Sequence, residues 1–203
     1  MTAGRFNETG GKMKKWFAIA SAGVISGFGV SAVADDDHRH NNRQRVFRAE
    51  LISYNEVPAV SSPARGQFYA ILNKAETELT YWLSFSNMSS NVSQSHIHFG
   101  QHHTNGGIVV WLCAGSLPAP TASTPPCGAT GTPGMPVTVT GVITEAEVLG
   151  LANTTAQGIG LNEFAELIAA MRAGAAYANV HSTTTLPAPA IAFPGGEIRG
   201  QIN

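Results

Sequence analysis

Residues 66–85 read GQFYAILNKAETELTYWLSF, two runs of alternating apolar and polar character joined by KAET at residues 74–77. In the first run Phe68, Ala70 and Leu72 recur at a period of two, the repeat of a strand with one face in a core, where a helix would need a period near 3.6. The two runs predict a β-hairpin. The same alternation continues outward from it. Upstream, VFRAELIS (46–53) sets Phe47, Ala49 and Leu51 against Arg48 and Glu50; downstream come VSQSHIHF (92–99), GIVVWLCA (107–114), PVTVTGV (136–142), AAYANVHS (175–182) and GEIRGQIN (196–203). About eight short strands separated by Gly, Pro and Asn indicate a mainly β antiparallel sandwich or barrel. Two segments break the pattern. TEAEVLG (144–150) opens on a capping box, Thr144 with Glu147 three residues later, and offers Gly150 as a stop. LNEFAELIAAMRAG (161–174) stacks Phe164, Leu167, Ile168 and Met171 on one helical face and ends at Gly174, so it predicts a helix that covers a sheet edge or end. No internal repeat or second domain is evident.

The N-terminus addresses the compartment. KMKKWFAIASAGVISGFGVSAVADDD (12–37) has a basic start (Lys12, Lys14, Lys15), an apolar stretch rich in Gly and Ser, and the small-x-small ending Ala32-Val33-Ala34. This is the pattern of a secretory signal peptide over residues 1–34, cut after Ala34. The apolar run is shorter than the roughly 20 residues of a spanning helix. Met13 would open a more ordinary signal than Met1. Residues 35–45, polar and charged without apolar periodicity, read as a flexible leader; His38 and His40 there could bind metal loosely or be solvated. The expected location is secreted or periplasmic, with no membrane association after cleavage. The whole chain carries 12 Lys+Arg and 13 Asp+Glu. Residues 1–34 hold four of the basic groups (Arg5, Lys12, Lys14, Lys15) and one of the acidic (Glu8), leaving 8 against 12, formally −4, with Lys74 as the remaining lysine. Such a surface does not attract nucleic acid or anionic lipid.

Cys113 and Cys127 bracket AGSLPAPTASTPP, a Pro- and Ser-rich loop. In an oxidising compartment they pair, and closing that loop stabilises the fold by roughly 3 kcal/mol on the chain-entropy model. A metal–thiolate site would want a second nearby Cys, which is missing.

Four of the seven histidines fall in SHIHFGQHHTNGG (95–107). On a strand, residues i and i+2 share a face, so His96 and His98 project side by side while Ile97 points into the core. Paired imidazoles on one rigid strand suit Cu, Zn, Ni or Fe. His181, on another predicted strand with Tyr177 and Asn179 on its face, would make a three-histidine site if the two strands are neighbours; otherwise it ties a strand end to backbone. Water, His102 or His103 in the following loop, or a carboxylate such as Glu197 could complete the coordination, although His102 and His103 also read as exposed loop residues. Glu197 and Arg199 share one strand face and read as a surface ion pair. No G-x-S-x-G, P-loop or dinucleotide fingerprint is present, and every Asp lies in residues 35–37, so an Asp-based hydrolase triad is unavailable within the folded part.

FRAELISYNEVPAVSSPARGQFYAIL, SHIHFGQHHTNGGIVVWLC, AQGIGLNEFAELIAAMRAGAAYANVHS and FPGGEIRGQI together resemble the CHRD domain, named for its repeats in the animal protein chordin and found singly in secreted bacterial proteins. The resemblance spans residues 46–203. It implies an immunoglobulin-like or superoxide-dismutase-like antiparallel Greek-key β-sandwich with one or two short helices, and recurring histidines that match His96, His98 and His181. HIHFG also resembles the copper-binding H-x-H strand of copper/zinc superoxide dismutases, whose zinc-loop histidines and aspartate have no counterparts here; fold likeness does not establish activity. The reading is therefore a protein that binds a transition metal, copper before zinc, at His96, His98 and His181. The competing reading is a non-catalytic extracellular interaction or matrix module, with a protein or polysaccharide partner and structural histidines. No acid/base or nucleophile arrangement marks an enzyme.

Overall fold

The computed structural model describes residues 44–128, 136–183 and 191–203. The signal peptide expected over residues 1–34, its expected cleavage point, and His38 and His40 lie outside the described residues. Eight strands form one antiparallel sheet: β1 (Val46–Ile52), β2 (Arg65–Leu72), β3 (Leu79–Ser86), β4 (Asn91–Phe99), β5 (Gly107–Ala114), β6 (Val137–Ile143), β7 (Ala176–Thr183) and β8 (Ile198–Gln201). Their order across the sheet is β5-β4-β7-β8-β1-β2-β3-β6. The predicted hairpin is β2–β3, in register from Arg65 opposite Ser86 to Leu72 opposite Leu79.

Packing follows from the period-two pattern. Phe47 stands opposite Ala70 and Ala49 opposite Phe68, so large side chains lie against small ones, and all four are buried. Interdigitation of this kind fills a core without voids. The sheet curls until its end strands β5 and β6 come into contact, giving a near-closed barrel. A hydroxyl fastens the seam: Tyr81 of β3 donates to the Leu112 carbonyl of β5 at 2.5 Å. Gly141 of β6 makes room for that ring, since a Cβ there would stand 2.5 Å from the Tyr81 oxygen. Burial raises the Tyr81 pKa well above the ordinary phenol value, so it remains a donor. Cys113 and Cys127 form the expected disulfide, Cα–Cα 4.9 Å, and bring Pro125 to the end of β5, where Ala114 N–H donates to its carbonyl.

The helix of the apolar stripe is present as α2 (Phe164–Arg172; α1 is given below), with Phe164, Leu167, Ile168 and Met171 buried. The capping box also forms: Thr144 N–H donates to Glu147 Oε2 at 2.8 Å, and the Thr144 hydroxyl oxygen accepts from Ala146 N–H at 3.2 Å. It nucleates only a 3-10 turn, Glu145–Glu147, because Val148 goes extended (φ −79°, ψ 112°) and Leu149 N–H is taken by the Val109 carbonyl of β5. Tertiary hydrogen bonding overrides the local signal. The chain then forms a one-turn helix that the sequence pattern did not suggest, α1 (Ala152–Ala156). No helix among the described residues is long and apolar enough to cross a membrane.

β4, β7 and β8 lie next to one another and are buried on both faces. One face carries Ile97, Ala178, Val180 and Ile198 into the core. The other is polar, and loops around residues 53–62, 100–106 and 191–196 roof it.

Candidate metal centre

The register across β4, β7 and β8 fixes what meets on that polar face. His98 stands opposite Tyr177, which stands opposite Gln201; His96 stands opposite Asn179, which stands opposite Arg199. His181 pairs with Gln94, two residues before His96, so the two histidines are diagonal neighbours. Register shifts in the β4–β5 pairing flank His96 and His98; such bulges re-aim side chains. One ring nitrogen from each of His96, His98 and His181 lies within 4.8 Å of the others. His96 Nδ1 is 3.2 Å from His181 Nε2.

The backbone holds two of the rings. His98 Nδ1–H donates to the Gly106 carbonyl and His181 Nδ1–H to the Pro194 carbonyl, each at 2.9 Å. Each bond puts the proton on Nδ1 and leaves Nε2 with a lone pair, the usual way a protein fixes a ligand imidazole. The His96–His181 contact is then His96 Nδ1–H donating to His181 Nε2. Metal–nitrogen bonds of about 2 Å place ligand nitrogens about 3.3 Å apart around a tetrahedral ion. The 3.2 Å pair fits that spacing once His96 takes the other tautomer, with its proton on Nε2 and the Nδ1 lone pair free, and a closing of about 1.5 Å at the widest pair would complete the set. The triad can chelate a metal ion.

The model of the CHRD domain family matches residues 47–202 of this chain. The chain belongs to the CHRD-domain family. No curated protein and no solved structure matches it.

In this CHRD domain the triad is buried. His96 is 0 %, His98 8 % and His181 6 % exposed, and the Nε2 atoms of His96 and His98 are buried without a hydrogen-bond partner. Burial lowers all three pKa values, that of His96 to about 2, helped by His181 and His98, and that of His98 to about 4, against its bond to the Gly106 carbonyl. The rings are therefore neutral at ordinary pH, the form a metal requires.

His102 and His103 lie apart from this group, exposed in the loop with their own rings 5.8 Å from each other. Glu197 and Arg199 are not a surface pair. Both are buried, Glu197 at 0 % and Arg199 at 2 % exposure. Glu197 Oε1 accepts from Ser62 Oγ (2.5 Å), Ser89 Oγ (2.6 Å) and Ser89 N–H (2.9 Å). Arg199 donates to the Gln101 carbonyl at 2.9 Å and lies 3.4 Å over the centre of the Tyr177 ring, whose plane also stacks with His98 at 4.7 Å. The roof residues 53–62, which sequence reading left without a role, bring Glu56 close to Arg199. Burial, opposed by the Arg199 charge, pushes Glu56 up to about 7.

Sequence reading also missed the residues that position the triad. Gly106 accepts from His98 and donates its own N–H to Tyr177 Oη (3.2 Å), while Gly107 N–H donates to Gln157 of the turn after α1 (2.9 Å). A Cβ on Gly106 would collide with the Phe99 carbonyl. The paired glycines of TNGG were the available signal, but the partner they serve appears only when β4 and β7 are adjacent.

Proposed function

We propose that this chain is a secreted or periplasmic CHRD module that binds rather than transforms its partners. Its buried triad ties β4 and β7 to the loops at Gly106 and Pro194, and the same triad takes up one transition-metal ion, copper in preference to zinc. The architectural half rests on the two imidazole-to-carbonyl bonds, which give His98 and His181 protein partners without any ion. The metal half rests on one observation, the convergence of three neutral imidazoles within 4.8 Å. Export is supported by the signal-like N-terminus and by the disulfide, a bond of oxidising compartments. The strand order, with β4 beside β7 and β8 beside β1, supports a Greek-key barrel related to the immunoglobulin and superoxide-dismutase sandwiches.

Titration of the purified metal-free chain with copper and zinc tests this reading. Trp111 gives the signal, because its ring centre is 4.6 Å from that of His96. Stoichiometric quenching lost in both His96→Ala and His181→Ala is the expected result. Binding that is absent, or unchanged by either substitution, removes the metal half; loss of metal-free stability in the same variants supports the architectural half.

A further inference from the structure

We propose that the triad is matched to a monovalent, three-coordinate ion, copper(I), and discriminates against copper(II) and zinc(II), an inference that rests on the metal reading above. The donor set comes first. Among the described residues the converging group holds three imidazoles and no carboxylate or thiolate. Both cysteines are spent in the disulfide, and Glu197, whose Oε1 holds Ser62 and Ser89 and whose Oε2 is buried without a partner, contributes no oxygen to the converging group. An ion in this site keeps its full charge inside a poorly polarisable interior, where the cost of burial rises with the square of the charge, about fourfold from one charge to two.

Coordination number points the same way. With the triad between 0 and 8 % exposed and the Nε2 atoms of His96 and His98 buried, the described residues leave solvent little access for a fourth ligand. Zinc(II) takes four ligands in its protein sites, whereas copper(I), with half the charge to satisfy, accepts three nitrogens in a plane. Arg199 adds a fixed positive charge behind Tyr177, the ring that stacks on His98. Its repulsion of the bound ion doubles when the ionic charge doubles.

The test is an anaerobic titration of the purified chain with copper(I) against a chromophoric copper(I) chelator, with copper(II) and zinc(II) titrated in parallel, followed by X-ray absorption of the copper-loaded protein. One copper(I) per chain, bound at least about a hundredfold more tightly than zinc(II) and more tightly than copper(II), with three nitrogen neighbours, is the expected result. Arg199→Gln should narrow the copper(I)-to-zinc(II) ratio about tenfold by tightening zinc, and Arg199→Lys, which keeps the charge, should preserve it. Copper(II) or zinc(II) binding that equals or exceeds copper(I), or four or more neighbours in the absorption spectrum, overturns the proposal and leaves the metal reading standing. Absence of all three ions from the triad overturns both. The absorption measurement uses the unsubstituted chain, so it decides even if an Arg199 variant fails to fold.

Discussion

Acidification of the metal-free protein should cost stability well above the pH at which carboxylates protonate. Unfolded histidine takes a proton near pH 6.5, whereas the folded chain holds His96 down at about 2, His98 at about 4, and His181 below the ordinary value. Each site that is protonated in the unfolded chain and neutral in the folded one removes about 1.4 kcal/mol per pH unit. Glu56 acts in the opposite sense. Held at about 7 when folded, it is protonated in the folded chain and ionised in the unfolded one between pH 7 and 4.5, so it returns roughly one proton's worth of stability as pH falls. His96 and His98 against one carboxyl leave a net uptake of about one proton on unfolding near pH 5.5, a slope of about 1.2 kcal/mol per pH unit that fades towards pH 7, and His181 adds to it in the same direction. Between pH 7 and 5 the loss sums to at least about 1.5 kcal/mol, a sizeable part of the 5–15 kcal/mol typical of a domain. The histidine contribution is complete above pH 6.5 and is lost as pH falls below it. Urea unfolding in the presence of a chelator, followed by tryptophan fluorescence at half-unit pH steps, measures the slope. His98→Gln, whose amide can still donate to the Gly106 carbonyl, should reduce that slope by one proton. Stability that stays level or rises from pH 7 to 5 would refute the buried, neutral triad.

Two further outcomes follow from the geometry. Replacing both Cys113 and Cys127 by serine opens a link across a sequence separation of 14 and should lower stability by roughly 3 kcal/mol, read as a shift of the urea midpoint that reductant reproduces in the parent protein. Gly106→Ala forces a Cβ into the Phe99 carbonyl and displaces the acceptor of His98; it should lower stability by at least about 2 kcal/mol and weaken copper binding, whereas Gly195→Ala, with open space at its Cβ, should change neither.

The legible part of this protein was its period. Alternation in residues 46–53 and 66–85 specified strands with Phe47, Phe68 and Leu72 inward, and spacing alone put His96 and His98 on one face, because both follow from side-chain direction within a single strand. The helical stripe at Phe164, Leu167, Ile168 and Met171 was equally local. The CHRD motifs carried His181 into the same set before any strand order was known, and the cysteine pair followed from spacing and compartment. What remained hidden depended on which strands become neighbours. The sequence read Glu197 and Arg199 as a surface pair because alternation cannot tell a solvated face from one roofed by distant loops; the 53–62 and 100–106 segments bury both. The Thr144 capping box was read as the start of a helix, and it stops after one turn because a carbonyl of β5 claims Leu149. The adjacency of β4 and β7 turns a histidine pair and a distant histidine into a triad. Strand direction is a property of consecutive residues, but strand order is settled by the burial of the whole sheet, so only the tertiary structure could bring the three imidazoles together and bury them.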